Sequence, residues 1–528
     1  GFVVGTKQIA VPTKRSAFVC LTFDDLTQHV NKLAEICYGC DAVEVRVDHL
    51  AKYDADFITR QLSTLRLATE GLPIIFTIRT KKQGGKFADD AYDAMNKLYA
   101  LAVEAGVEYI DLELSLPTSI QYKLLNNKGN TKIIGSHHDF AAAFPWEDAE
   151  WENRYNQALS LDVDIVKFVG TATKFEDNLA LERFRYAHTA KPLIAINMTE
   201  VGKISRVMNT ILTPVTSSLL DNASAPGQLT ISEINKIFTS IGGIIPRELF
   251  VVGSPIGHSR SPVLHNTGYK ILGLPHTFGK FETDSAELVK EKLLDGKKNL
   301  GLLAVTIPLK LDIIKYMDEL TDAAKMVGAV NTVIPLGNGK FRGDNTDWLG
   351  ITNSLTGNGV PTSVSGSSGL IVGAGGALRA AVYALHKLGC NNIYVVNRFL
   401  NEMVTLKESF PAEYNLHLID TIEEAEAVKE TIAVVVSCVP ADKPLADDLV
   451  GKVERFLSKG ARKSFVPTLL DAAYKPSVTP LMKLASDKYQ WNTVPGAQML
   501  VHQGVAQFER WTSIKPPFKA IFDEVTKD

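Results

Sequence analysis

The sequence has few cysteines, no long apolar run and no block of like charge. Five cysteines, at 20, 37, 40, 390 and 438, occur in 528 residues. They are too scattered for a disulfide framework, and their odd count fits a reducing compartment. Cys37 and Cys40 make one C-x-x-C, but no second pair or histidine cluster accompanies it, so structural thiols are expected rather than a metal site. No stretch approaches the ~18 apolar residues of a membrane span. The opening residues, GFVVGTKQIAVPTKRSAF, lack a signal-peptide pattern, so a cytoplasmic location is expected. Net charge is −3 with no basic tract, so the electrostatic footprint of a nucleic-acid partner is absent. Low-complexity tracts and internal repeats are also missing. There is no initiator methionine, which suggests a part excised from a longer polypeptide.

What is present is an ordinary globular composition, 45% hydrophobic and 22% charged, in a chain long enough for two to four domains. From residue 18 to about 220, β-rich runs alternate with stretches that are apolar at helical spacing. The runs are FVCLTF (18–23), AVEVRV (42–47), PIIFTIR (73–79), YIDLEL (109–114), KIIGSHHD (132–139), DIVKFVGT (164–171) and LIAINM (193–198), with a weaker eighth near 213–220. Such units predict a (β/α)8 barrel, with a doubly wound open sheet as the alternative.

In a barrel, chemistry belongs at the carboxyl ends of the strands. Glu44, Arg46 and Asp48 alternate on strand two, Arg79 ends strand three, His138 ends strand five and Lys167 lies on strand six. Arg206 follows strand seven, and Ser224 to Gln228 makes a tight loop. Any one of them could be a satisfied structural polar group, and Lys167 could snorkel to the surface. As a set converging on one mouth they predict a site. A lysine on an apolar strand is costly to bury as a cation, which frees a neutral amine to attack a ketone. A nearby histidine can then move a proton at the adjacent carbon.

The stretches EVRVD, FTIRTKKQGG, SHHDF, GKISR and ASAPGQ, with the strand lysine, resemble type I 3-dehydroquinate dehydratase across residues 15 to about 243. That resemblance implies an imine between Lys167 and the substrate ketone, with His138 abstracting the neighbouring proton and later protonating the departing hydroxyl. It implies that Arg206, Ser224 and Gln228 hold the substrate carboxylate and hydroxyls. Glu44, Arg46 and Arg79 would orient the ring. One position departs: Gln83 stands where bacterial relatives often carry glutamate.

IGGIIPREL (241–249) is a Gly/Pro break, which places a domain boundary between 1–243 and 248–528. Beyond it come SPIGHSRSPVLHN, LLAVTIPLK, GAVNT and GDNTDWLG. Ser259 and Ser261 could cap the helix that follows or grip a carboxylate. Residues 369–398 read strand, glycine loop, helix, strand. The loop Gly373, Ala374, Gly375, Gly376, Ala377 is a dinucleotide fingerprint in that setting, although it lacks the full G-x-G-x-x-G spacing. A generic tight turn is the alternative. At the end of the second strand Asn397 and Arg398 replace the acid that would bind an NAD ribose, and arginine there suits a 2′-phosphate, hence NADP(H).

These motifs, with DAAYKPSVTPL and GAQMLVHQG, resemble shikimate dehydrogenase over about 248–528. The resemblance implies Lys310 and Asp347 as the catalytic pair and Ser259 and Ser261 on the substrate carboxylate. Thr306, Asn331, Tyr474 and Gln503 would contact the ring. A substrate lobe (248–352 and 506–528) would carry the NADP-binding lobe (353–505) as an insertion, with substrate and cofactor meeting in the cleft. Two positions depart: Ala304 where many relatives have asparagine, and Phe399 where threonine is common.

Dehydration followed by reduction converts 3-dehydroquinate through 3-dehydroshikimate to shikimate, a pairing found in plant fusions and at the end of the fungal pentafunctional arom polypeptide. The motif wording resembles the fungal version. A homodimer is expected, and no nucleic acid or membrane partner. The related quinate-pathway repressors are the rival reading, but a regulator has no physical need for Lys167, His138, Lys310 and Asp347 together. Activity on quinate stays open, because one ring hydroxyl is a small difference between ligands.

Overall fold

A computed structural model describes residues 9–373, 376–441, 443–462 and 464–527. The chain separates into two compact units. The first runs to Ile245 and takes in Lys270–Pro275 and Ile514–Pro517; the second holds Pro246–Tyr269, His276–Ser513 and the residues from Phe518 on.

The first unit is a parallel barrel of β1 (Ala17–Leu21), β2 (Ala42–Arg46), β3 (Ile74–Thr77), β4 (Tyr109–Glu113), β5 (Lys132–His138), β6 (Ile165–Thr171), β7 (Leu193–Met198) and β8 (Thr213–Val215). They are ordered β7-β6-β5-β4-β3-β2-β1-β8. Among the described residues no ladder joins β7 to β8. The eighth strand is three residues long and centred on Pro214, which has no N–H to donate. Helices lie between successive strands, several with side-chain caps. Asp54 accepts from Phe57 N at 3.1 Å to start Ala55–Ala68, and Thr230 with Glu233 forms a capping box on Ile231–Ser240. Outward strand residues such as Val43, Phe76, Leu112 and Phe168 pack against those helices. Inward ones, Phe18, Ile75, Tyr109, Ile134 and Ile165, fill one end of the barrel.

The second unit has two six-stranded sheets. One contains β9 (Glu248–Gly253), β10 (Thr277–Glu282), β11 (Leu300–Val305), β12 (Glu319–Leu320), β13 (Thr332–Gly337) and β14 (Lys340–Asp344), ordered β10-β9-β11-β13-β14-β12. Here β13 runs antiparallel to both its neighbours. The other contains β15 (Ser368–Val372), β16 (Ile393–Val396), β17 (Leu416–Ile419), β18 (Ile432–Ser437), β19 (Thr468–Asp471) and β20 (Asn492–Val494). Its strands are all parallel, in the order β17-β16-β15-β18-β19-β20. Both of its faces are covered, so its strands read as continuous apolar runs such as IAVVVS. The chain leaves the first sheet through helix Asp347–Thr356 and returns through helix Gly496–Thr512, which packs on it and on β11 and β13. The helices touch closely at Gly350, where a Cβ would fall 2.7 Å from Met499 O.

Candidate functional site

In the barrel, side chains alternate across each strand, and the inward set turns from apolar to ionic toward the carboxyl ends. Glu44, Asp111, Glu113, Ser136 and Lys167 are all buried, and Ser136 and Lys167 are ladder partners on β5 and β6. Arg79 ties the layer together. Its Nη1 and Nη2 donate to Asp111 Oδ1 and Oδ2 at 3.0 Å each, and Nη1 also reaches Glu113 Oε2 and Ser136 Oγ at 3.1 Å. Burial opposes the Arg79 charge, but Asp111 and Glu113 outweigh it and raise the guanidinium's pKa. Burial likewise opposes the Asp111 carboxylate, yet Arg79 and Lys167 hold it below its ordinary value. Glu44 accepts from Thr77 Oγ1 at 2.9 Å. Arg46 makes a two-pronged pair with Asp48 at 2.9 and 2.8 Å. The alternation expected for Asp48 stops short of it: β2 ends at Arg46, and Asp48 stands in the turn that follows.

β5 ends in two histidines that alternation sends opposite ways. His137 meets Trp151 of the outer helix Ala149–Ser160 edge-on and lies 3.3 Å from Glu150. His138 turns into the barrel mouth and stacks on Phe140 with planes 6° apart. Burial, then Arg79, Lys167 and Arg46, drives its pKa well below the ordinary imidazole value. The ring is therefore a neutral base near pH 7. Lys167 Nζ stands 5.2 Å from the Phe18 ring centroid. Arg206 is 0% exposed. Its Nη2 donates to Pro226 O at 3.1 Å, while Nε and Nη1 have no hydrogen-bond partner among the described residues. Burial lowers its pKa to about 10. The helix that carries it, Lys203–Met208, is pinned to β7 by Asn197 N donating to Ser205 Oγ at 2.8 Å. Ser224 donates to Gln228 Oε1 from both N (3.0 Å) and Oγ (3.1 Å). Glu44, Arg46, Arg79, His138, Lys167, Arg206, Ser224 and Gln228 all line one cavity. An amine, a neutral imidazole and an unsatisfied guanidinium in one enclosure suit a small keto acid.

In the second unit, Lys310 Nζ donates to Asp347 Oδ2 at 2.9 Å. Asn331 Nδ2 donates to the other carboxylate oxygen at 3.0 Å and to Thr346 Oγ1 at 2.9 Å. Asn331 is itself fixed by Thr346 N donating to its Oδ1 at 2.8 Å and by Gln507 Nε2 donating to its carbonyl at 3.0 Å. Ser261 begins the helix Ser261–Leu272, and its N–H donates to Ser259 Oγ at 3.3 Å, so the pair does local turn work as well as facing the cleft. Ser259, Ser261, Thr306, Lys310, Asn331, Asp347, Tyr474 and Gln503 line a single cleft, together with Ala304 and Ala377.

Gly373 follows β15 with φ +117, where a Cβ would fall 2.8 Å from Val439 Cγ1, and Gly376 opens the helix Gly376–Lys387. Ala374 and Gly375 lie outside the described residues. Asn397 and Arg398 follow β16 and are absent from the cleft wall. Asn397 is buried with Nδ2 unpartnered among the described residues, and Arg398 is exposed, its guanidinium carbon 5.6 Å from the Phe399 ring centroid.

Comparison with known proteins agrees with this division. The type I 3-dehydroquinase profile matches residues 17–245. The shikimate dehydrogenase substrate binding domain matches 251–333, shikimate / quinate 5-dehydrogenase 358–486, and the shikimate 5′-dehydrogenase C-terminal domain 496–522. The solved dehydroquinate dehydratase and shikimate dehydrogenase from S. pombe AroM is 41% identical with a TM-score of 0.88, covering 98% of this chain and 99% of that one. The chain belongs to the AroM dehydroquinate dehydratase–shikimate dehydrogenase family. Pentafunctional AROM polypeptides of Saccharomyces cerevisiae (66% identical over 526 residues, 100% of this chain) and Candida glabrata (68% over 525 residues, 99%) are among its relatives. The AroM-family chain spans 33% of the length of those curated relatives.

Sequence reasoning passed over Asp111, Glu113 and Ser136, which hold Arg79 in this AroM-family barrel. The signal was there, in the acids alternating through YIDLEL. It also passed over Lys280, Lys475 and Lys527 in the cleft wall, which come from separate segments; only Lys475 stands in a recognised stretch, beside Tyr474.

Proposed function

We propose that the barrel dehydrates 3-dehydroquinate to 3-dehydroshikimate through an imine on Lys167, and that the second unit reduces 3-dehydroshikimate to shikimate with NADPH. The observation that carries the reading is the enclosure of Lys167, His138 and an incompletely partnered Arg206 in one cavity. The Lys167 amine adds to the ring ketone and water leaves, giving the imine. Neutral His138 takes a proton from the adjacent carbon, and the electron pair delocalises into the iminium. The departing hydroxyl leaves as water with a proton from His138, and hydrolysis of the imine frees the amine. Arg206 offers two N–H donors to the substrate carboxylate. Ser224 and Gln228 meet its hydroxyls, and Glu44, Arg46 and Arg79 position the ring.

In the second unit, Ser259 and Ser261 would hold the carboxylate, with Thr306, Asn331, Tyr474 and Gln503 on the ring. Lys310, steadied by Asp347, gives its proton to the oxygen that becomes the new hydroxyl. Bound NADPH supplies the hydride. The residues present fit such a dinucleotide. Gly373 follows its strand in a conformation that favours glycine, Ala377 reaches the cleft, and Asn397 has a buried donor with no partner among the described residues. Gly373, Ala374, Gly375, Gly376 and Ala377 would cradle the pyrophosphate, and Arg398 the 2′-phosphate. Ala304 leaves one ring contact to another group. Membership of a longer polypeptide, pairing of two copies and a cytoplasmic location belong to the same proposal.

The test is a coupled assay with 3-dehydroquinate and NADPH or NADH, with quinate as a further arm. Lys167→Ala should remove enone formation and borohydride labelling while shikimate oxidation survives. Lys310→Ala should do the reverse. Loss of both activities in either variant would refute the assignment of two independent sites.

A further inference from the structure

Arg379 is a cation in the first turn of the helix Gly376–Lys387, where the helix dipole opposes positive charge and burial works against it as well. It is absent from the cleft wall, so substrate does not account for it. Its donors are spent elsewhere. Nε donates to Val327 O, Nη2 to Met326 O at 2.9 Å and Nη1 to Ser409 Oγ, and the guanidinium carbon lies 4.7 Å from the Phe410 ring centroid. Met326 and Val327 close the helix Asp322–Val327. Carbonyls at a helix C-terminus lack partners within the helix and carry the negative end of its dipole, so a forked cation suits them. The chain then turns at Gly328, with φ +72 and its N–H donating to Ala324 O at 2.8 Å.

The two ends of this contact belong to different layers. Asp322–Val327 packs on β12 and β14 of the first sheet, and Gly376–Lys387 packs on β15 and β16 of the second. Just beyond the fastened helix end lies the backbone that supports the Lys310 pair. Val330 N donates to Lys310 O at 2.9 Å, Asn331 N to Asp344 O at 3.1 Å, and Asn345 Nδ2 to Ala329 O at 3.2 Å. The Asn331 side chain in turn holds Asp347. We propose that Arg379 is a positioning residue for the reductase site, fastening the end of Asp322–Val327 to the glycine-loop helix. It thereby fixes residues 329–331, and through them Lys310 and Asp347, relative to the bound dinucleotide. A planar guanidinium bridges two successive carbonyls and a hydroxyl at once, which an ammonium does not.

The inference rests on the reductase reading, and the experiment separates the two. Arg379→Ala removes all three bonds, while Arg379→Lys keeps the charge at the helix end without the fork. In the ligand-free full chain, Arg379→Ala should speed amide hydrogen exchange in residues 328–331 ~10-fold, since the segment loses its anchor. Rapid mixing of the NADPH-loaded chain with 3-dehydroshikimate should show first-turnover hydride transfer slowed ~10-fold or more at full amplitude, with NADPH affinity by fluorescence titration changed less than ~3-fold, because a small misplacement of reacting groups is costly. A merely structural role would shrink the amplitude and leave the rate. Arg379→Lys should fall between wild type and Arg379→Ala; if the melting transition shows Arg379→Ala unfolded, Arg379→Lys decides alone. If wild type reduces no 3-dehydroshikimate, the reductase reading fails and the positioning role with it. If wild type is active but the Arg379 variants keep the wild-type first-turnover rate, or the wild-type exchange in 328–331, the positioning role alone is overturned.

Discussion

Replacing Arg206 by methionine should make the empty barrel more stable and the enzyme worse. Arg206 is 0% exposed, with Nε and Nη1 unpartnered among the described residues. Burial brings its pKa down to about 10. At ~1.4 kcal/mol per tenfold, that depression corresponds to roughly 3 kcal/mol of unfavourable charge burial. Both folded and unfolded chains carry the proton at pH 7, so the whole penalty acts there. Methionine fills a similar space without charge. The loss of one hydrogen bond to Pro226 O costs about 1 kcal/mol. The net is a gain of about 2 kcal/mol, and for a barrel of this size a melting transition higher by about 5 °C. On the proposed function the same change removes the two-pronged contact to the substrate carboxylate, so KM for 3-dehydroquinate should rise ~100-fold, or about 2.7 kcal/mol. Scanning calorimetry with and without 3-dehydroshikimate reads both, because the ligand's stabilisation should vanish in the variant. An Arg206→Met barrel that melts several degrees lower with unchanged KM would refute the reasoning.

The depressed His138 pKa has a sign that can be checked. The neutral base persists well below the ordinary imidazole value, so kcat for dehydration should stay level from about pH 8 down through about pH 6.5 and fall only in more acid solution. A limb centred near the ordinary value would contradict the burial argument. Stability follows the same linkage: as pH falls through that value the unfolded chain takes up a proton that the folded one refuses, so the barrel weakens toward acid. Gly85→Ala should destabilise the barrel by about 2–4 kcal/mol and abolish dehydration. Its Cβ would fall 2.1 Å from Arg79 O, on the backbone that carries the central arginine. Calorimetry and the dehydratase assay check it, with shikimate oxidation expected to persist.

The barrel was legible because its strands and helices differ in apolar period, and the first seven expected runs overlap β1 to β7. The eighth was hardest: a three-residue strand around Pro214 leaves almost no periodic signal. The candidate residues were legible where they sat in motifs. Asp111 and Glu113 were not, since polar residues alternating on a strand look the same whether the second face meets water or a barrel interior. Arg398 was chosen for its place after a strand, and its exposed side chain beside Phe399 carries no signature of what it would bind. Gln83 was named as a departure, but its contact with the His138 peptide groups joins residues 55 apart in the chain, which only three-dimensional neighbours reveal.

The doubled histidine at the end of β5 has a consequence for how mutations are tolerated. Slipping the strand by one position would still offer an imidazole to the mouth, because His137 would take the place of His138. Gly135 would then replace Ser136 beneath Arg79, and a serine would be turned toward Trp151 and Glu150 in place of an aromatic ring. The parity of this strand is thus guarded by its neighbours above and below, and a single-residue insertion in the segment before Lys132 should cost the fold more than the loss of one base.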